Sequence, residues 1–152
     1  MGKSKLVTIK QALALKKLGF NEPCARYAYR FSNDTYNLQH TQIRGIGIKS
    51  FGNALAVPTV DEAIDWMRRK FDIIVCNAAD PYVHPIKNYI VYGYRVKFCN
   101  VKWGWNQRER VGMSSWCKDH YAAKRVAIWI AIRYINKKKK DAKRRANRKN
   151  RK

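Results

Sequence analysis

The sequence predicts an α+β fold. A small antiparallel sheet carries helices on one face, in the core order helix-strand-strand-strand-helix. Three observations support this. Between Ser114 and Asn136, apolar residues recur at helical spacing: Tyr121, Ile128, Ile132 and Ile135 form one stripe, with Ala122, Val126 and Trp129 beside it. Thr59 and Glu62 stand at capping-box spacing ahead of a second amphipathic run. Between these two runs, Ile90, Tyr92, Tyr94, Val96 and Phe98 alternate with Tyr89, Val91, Gly93, Arg95 and Lys97, the period of a strand. Short connections favour antiparallel pairing with both helices on one side.

In chain order, residues 1–7 are a short basic lead, 8–136 a single domain with its core unit at 58–136, and 137–152 a Lys/Arg-rich tail. Thr8 and Gln11 form a first capping box, and Gly19 suits a left-handed helix end, so a helix is expected from Ile9 to Leu18. Its expected face is Ile9, Ala12, Leu13 and Lys16, with Leu15 and Leu18 adjacent. Asn21-Glu22-Pro23 turns the chain. Cys24 to Phe31 alternates as a strand, and Tyr36 to Arg44 offers a returning partner. The glycines of Ile43 to Asn53 do not make a phosphate loop and read as a flexible connection.

The helix opened by Thr59 has Ala63, Ile64, Met67 and Phe71 as its expected buried stripe, with Trp66 as a shoulder. Asp61, Glu62 and Asp65 load its first turns, and Arg68, Arg69 and Lys70 its last, as the helix dipole favours. Ile73 to Cys76 is a short strand and Asn77 to Pro85 a loop. After the long alternating strand, Val101, Trp103 and Trp105 suggest a third. Ser114 or Ser115 is the expected cap of the last helix.

Charge is the outstanding property. The 152 residues hold 33 Lys and Arg against 10 Asp and Glu, a formal net charge of +23. From Lys137 onward there are eleven cations and one anion, Asp141; the rest of the chain holds 22 cations against nine anions. Such a surface repels itself unless it meets something anionic. Nucleic acid is the expected partner, bound chiefly through phosphates by Lys137, Lys138, Lys139, Lys140, Lys143, Arg144, Arg145, Arg148, Lys149, Arg151 and Lys152. Lys118, Lys124, Arg125, Arg95, Lys97, Lys102, Arg108 and Arg110 are the candidate cations of the folded surface. The alternative is a protein-interaction or virion-associated module docking an acidic host or virion protein, with the tail steering association. The tail itself is expected to be disordered when free, or helical.

No apolar run approaches the roughly 20 residues of a spanning helix, so no membrane insertion is expected. Met1 to Lys10 precedes no long apolar segment, so no secretory signal is expected either. Cys24, Cys76, Cys99 and Cys117 are scattered without ligand spacing. They suggest buried thiols in a reducing compartment, with no zinc or other cofactor.

The run Val7-Thr8-Ile9-Lys10-Gln11-Ala12 through Leu18-Gly19-Phe20-Asn21-Glu22-Pro23-Cys24 resembles the opening of uncharacterised small α+β proteins of Bacteroides-type phages and prophages. Pro58-Thr59-Val60-Asp61-Glu62-Ala63-Ile64-Asp65-Trp66-Met67-Arg68 continues the resemblance, which implies a setting in the bacterial host cytoplasm or the virion. The element order is also similar, in topology, to double-stranded-RNA-binding domains. That similarity implies phosphate contacts from the second helix, where Lys118, Lys124 and Arg125 stand.

Catalysis is not expected. His40 and His84 have no partner at motif spacing. Cys117 and His120, read as i and i+3 on a helix with Asp119 close by, allow a nucleophile pair but bring no orienting group or oxyanion hole. Trp103 and Trp105 share a strand face beside cations and are candidates for base stacking, although strand aromatics more often serve the core.

Overall fold

The computed structural model describes residues 5–24, 26–30, 36–39, 54–77, 82–83, 90–99, 108–114, 117 and 119–149. Helix α1 (Ile9–Leu18) begins where the capping box places it. The Thr8 hydroxyl accepts from Gln11 N at 3.2 Å, and Gln11 Oε1 accepts from Thr8 N at 3.0 Å. Gly19 ends the helix at φ 101°, a conformation costly to any residue with a Cβ. The buried face is not the expected one: Gln11, Ala12, Leu15 and Leu18 are buried, Ile9 and Leu13 half-buried, and Lys16 exposed. Gln11 explains the rotation. Its fully buried amide donates to the carbonyl of Arg125 at 2.6 Å, turning that side of α1 toward the C-terminal helix, α3 (His120–Lys149). The end of the lead expected over residues 1–7 joins the fold: Leu6 and Val7 are buried and Val7 N donates to Pro58 O at 3.1 Å, while residues 1–4 lie outside the described residues.

Strands β1 (Tyr27–Arg30), β2 (Tyr36–Gln39) and β3 (Ala54–Ala56) form an antiparallel sheet in the order β2-β1-β3. The first falls within the alternating run Cys24 to Phe31, and the second within Tyr36 to Arg44, the stretch offered as its returning partner. The third falls in no expected element: Ala54, Leu55, Ala56 and the following Val57 are all buried, so no period-2 pattern marks it. The glycine-rich connection before Ala54 lies outside the described residues.

Helix α2 (Val60–Phe71) has its own capping box, with Glu62 N to Thr59 Oγ1 at 3.2 Å and Thr59 N to Glu62 Oε2 at 2.6 Å. Trp66 is central to its buried face rather than a shoulder. It is 3% exposed and lies edge-on to the rings of Phe20 and Phe71 at 5.2 and 5.3 Å. Ile64 and Phe71 are only half-buried.

Beyond α2 come β4 (Ile73–Asn77), the short pair β5 (Tyr82–Val83) and β6 (Ile90–Val91), then β7 (Tyr94–Cys99) and β8 (Arg108–Met113). β4, β7 and β8 form an antiparallel sheet in that order, and among the described residues β5 and β6 make a separate two-stranded pair. The expected long strand is therefore divided at Tyr92 and Gly93, and the expected loop over 77–85 contains β5. The third strand on β7 is Arg108–Met113, later than Val101 to Asn106; residues 101–107 lie outside the described residues.

Tyr94, Val96 and Phe98 point to the side covered by α3. Val75 and Ile73 are paired across from Val96 and Phe98 on that side. Three fully buried alanines, Ala123, Ala127 and Ala131, let α3 lie close, with Ile128, Ile132 and Ile135 filling beside them. α3 starts at His120, six residues after Ser114. Asp119 acts as its cap: its carboxylate accepts from Tyr121 N at 2.8 Å, and its carbonyl accepts from Ala123 N. The Ser114 hydroxyl instead accepts from Tyr94 N at 2.8 Å, binding β8 to β7. One buried cluster joins residues of all three helices and both three-stranded sheets. Among the described residues, no helix is long and apolar enough to cross a membrane.

Candidate nucleic-acid interface

The tail is helical. α3 runs unbroken for 30 residues, through the end of its buried stripe at Ile135 and on to Lys149. At about 1.5 Å per residue, the part beyond Ile135 extends roughly 20 Å. Its direction follows from two ring contacts. His120 lies 5.4 Å from the Tyr94 ring, and Tyr134 lies 5.8 Å from that of Phe98, so α3 follows β7 from start to end and continues past it.

The first cations of the extension cover the end of the core. Lys138 Nζ is 5.2 Å from the Tyr134 ring and 6.0 Å from that of Phe98; Lys139 Nζ is 5.4 Å from the Phe71 ring. Lys137, Lys140, Lys143, Arg144, Arg145 and Arg148 are exposed, with Asp141 the one anion among them. Like charges meet at i,i+4 in Lys139/Lys143, Lys140/Arg144, Arg144/Arg148 and Arg145/Lys149, each a small destabilisation of the free helix. An anion along this rod would relieve all four.

Register brings a second set of the expected positions to the sheet face opposite α3. Across β4 and β7, Ile74 pairs with Lys97 and Cys76 with Arg95; across β7 and β8, Lys97 pairs with Arg110 and Cys99 with Arg108. Positions 95, 97, 108 and 110 thus share one face. A bulge decides this. Val96 pairs with Gly112, and the register then slips so that Lys97 pairs with Arg110 rather than Val111. Without the slip, positions 108 and 110 would turn toward α3.

The remaining expected residues divide differently. Lys124 is committed within the fold: it pairs with Asp61 at 2.6 Å, lies near the Tyr94 and Tyr121 rings, and has only 16% of its side chain exposed. Arg125 pairs with Asp119 at 3.3 Å. Arg68 and Arg69 pair with Asp65, and Arg69 also reaches Glu22 at 2.8 Å, so this cluster serves its own helix and the turn after α1. Those arginines hold the Asp65 carboxyl below its usual range. Lys118, Lys102, Arg151, Lys152, Trp103 and Trp105 lie outside the described residues, as do His40 and His84.

Cys117 and His120 do not share a helix. Cys117 precedes α3 and exchanges backbone hydrogen bonds with Tyr92 at 2.8 and 2.9 Å. The His120 ring sits among Tyr92, Tyr94 and Tyr121, with Nδ1 2.7 Å from the Tyr94 hydroxyl. Burial, then Lys124, pushes the His120 pKa down, against the pull of Asp61 and Asp119. Burial lifts the Tyr94 phenol to about 12 and the Cys24 thiol to about 11. Cys24 is a packed thiol whose Sγ donates to Arg26 O at 3.3 Å. Among the described residues, no cluster of three or more His, Cys, Asp or Glu could hold a metal ion.

Sequence reasoning found the cations of both surfaces singly. It missed Gln11 and Ser114 as the buried polar ties that hold α1 and β7 in place beneath them. No family model, curated protein or solved structure matches the chain.

Proposed function

We propose that this protein binds nucleic acid without catalysis, holding phosphates with the extension of α3 and with the cationic sheet face. The observation that carries the reading is the continuous helix: one element is anchored by Ala123 to Ile135 in the core and carries nine cations against Asp141 from Lys137 to Lys149. A tethered, directed array of this kind concentrates positive potential where a polyanion can reach it. Phosphate contacts of this sort position a partner and read no bases. The like-charge neighbours along the helix support the same reading, since phosphate relieves them.

The test is a titration of fluorescent duplex and single-stranded oligonucleotides, with poly-glutamate as an acidic polypeptide control, near about 0.15 M salt. Binding of at least one nucleic acid, weakened by at least about tenfold when Lys143, Arg144, Arg145 and Arg148 are changed to Gln, is expected. No binding to any nucleic acid sinks the proposal, and tighter binding to poly-glutamate moves the assignment to an acidic protein partner.

A further inference from the structure

The shape of the α3 extension says which nucleic acid suits it. A flat anionic surface, whether a protein face or a lipid headgroup layer, neutralises one side of a helix lying on it. Here the charge fills one half of the helix and so reaches both of its flanks. At 100° per residue, Lys140, Arg144, Lys137, Arg148, Arg145, Lys138 and Lys149 cover about half the circumference, and Lys139 and Lys143 stand on the opposite half. Ala142, Ala146 and Asn147 are the uncharged positions of that opposite half, and Asp141 is the one anion within the cationic half. A rod with cations on its front and on both flanks, projecting roughly 20 Å from the core, is best matched by a partner with two facing anionic walls.

We infer that this partner is B-form duplex DNA, with the extension of α3 lying in the major groove; the inference rests on the nucleic-acid reading above. The B-form major groove is about 12 Å wide, against a helix diameter of about 10–12 Å, and its two walls are lined with phosphates. The A-form major groove of duplex RNA is too deep and narrow to admit such a helix. A single strand has one phosphate backbone and leaves one cationic flank unmet. Lys138 and Lys139, held over Phe98, Tyr134 and Phe71, fix the root of the rod, so that it enters the groove at a set angle to the domain.

The full chain should bind a DNA duplex at least about tenfold more tightly than an RNA duplex of the same sequence or either single strand. Methyl green, which occupies the major groove, should displace it, and netropsin, which occupies the minor groove, should not. In the variant Lys143→Gln/Arg144→Gln/Arg145→Gln/Arg148→Gln the preference for DNA should disappear. All four residues are exposed, and circular dichroism of the variant verifies that the domain stays folded. Equal or tighter binding to RNA, or displacement by netropsin alone, overturns the groove assignment and leaves nucleic-acid binding standing. No binding to any of the oligonucleotides overturns both.

Discussion

Replacing Gly112 by Ala tests how α3 is seated, and therefore where its extension points. A Cβ at Gly112 falls 2.9 Å from Cγ2 of Ile130 and 3.8 Å from its Cδ1. Ordinary contact begins near 3.4 Å, so helix or strand must move by about half an ångström. Cγ2 is fixed to the branched Cβ and cannot swing away as a chain end would. The helix is also held close by Ala123, Ala127 and Ala131, all fully buried. Overpacking of this kind costs about 1–3 kcal/mol, against the roughly 0.4–1 kcal/mol that Gly→Ala contributes by restricting the unfolded chain. The expected net loss is about 1–2 kcal/mol, read from urea denaturation midpoints at unchanged slope. Ile130→Ala removes both contacting atoms. The double variant should therefore be more stable than the sum of the two single effects implies, by about 1 kcal/mol. Additivity within about 0.5 kcal/mol, or a Gly112→Ala variant more stable than the parent, would refute this seating of α3.

Two other perturbations separate the account's parts. Lys97→Glu places an anion at a sheet position that register sets beside Arg95 and away from α3, so nucleic-acid affinity should fall by at least about threefold; an unchanged affinity would contradict a cationic binding face. His120 has a folded pKa below its ordinary 6.5, so the unfolded chain binds its proton first and stability is lost as pH falls through that value. The melting temperature should drop between about pH 7.5 and 5.5, and His120→Gln should remove much of that drop; an identical pH profile in the variant argues against it.

What the sequence makes legible is what it encodes locally. Both capping boxes lie within four consecutive residues, and α1 and α2 begin where Thr8 and Thr59 place them. The cap of α3 was ambiguous because Ser114 satisfies a donor twenty residues away on β7, a tertiary demand that outranks its capping preference. Arg108–Met113 carries three charges and a glycine and shows no alternation, whereas Val101 to Trp105 shows a better strand pattern. The site follows the same division. Each cation is visible as a letter, but the bulge after Val96 that brings positions 108 and 110 beside 95 and 97 depends on strand register. The helical state of the tail was likewise open, since a segment polar on all sides has no periodicity to read. Its order comes from continuity with the anchored half of α3 and from Lys138 and Lys139 resting on aromatic rings.

If the extension of α3 engages phosphates, the salt dependence of binding counts them. Affinity of the full chain for a DNA duplex should fall with salt at a log–log slope near −5 if about six of its cations meet phosphates. In a variant with Lys140, Lys143, Arg144, Arg145 and Arg148 changed to Gln, the slope should become shallower by about 4. Equal slopes for the two proteins would contradict the account, whatever their affinities.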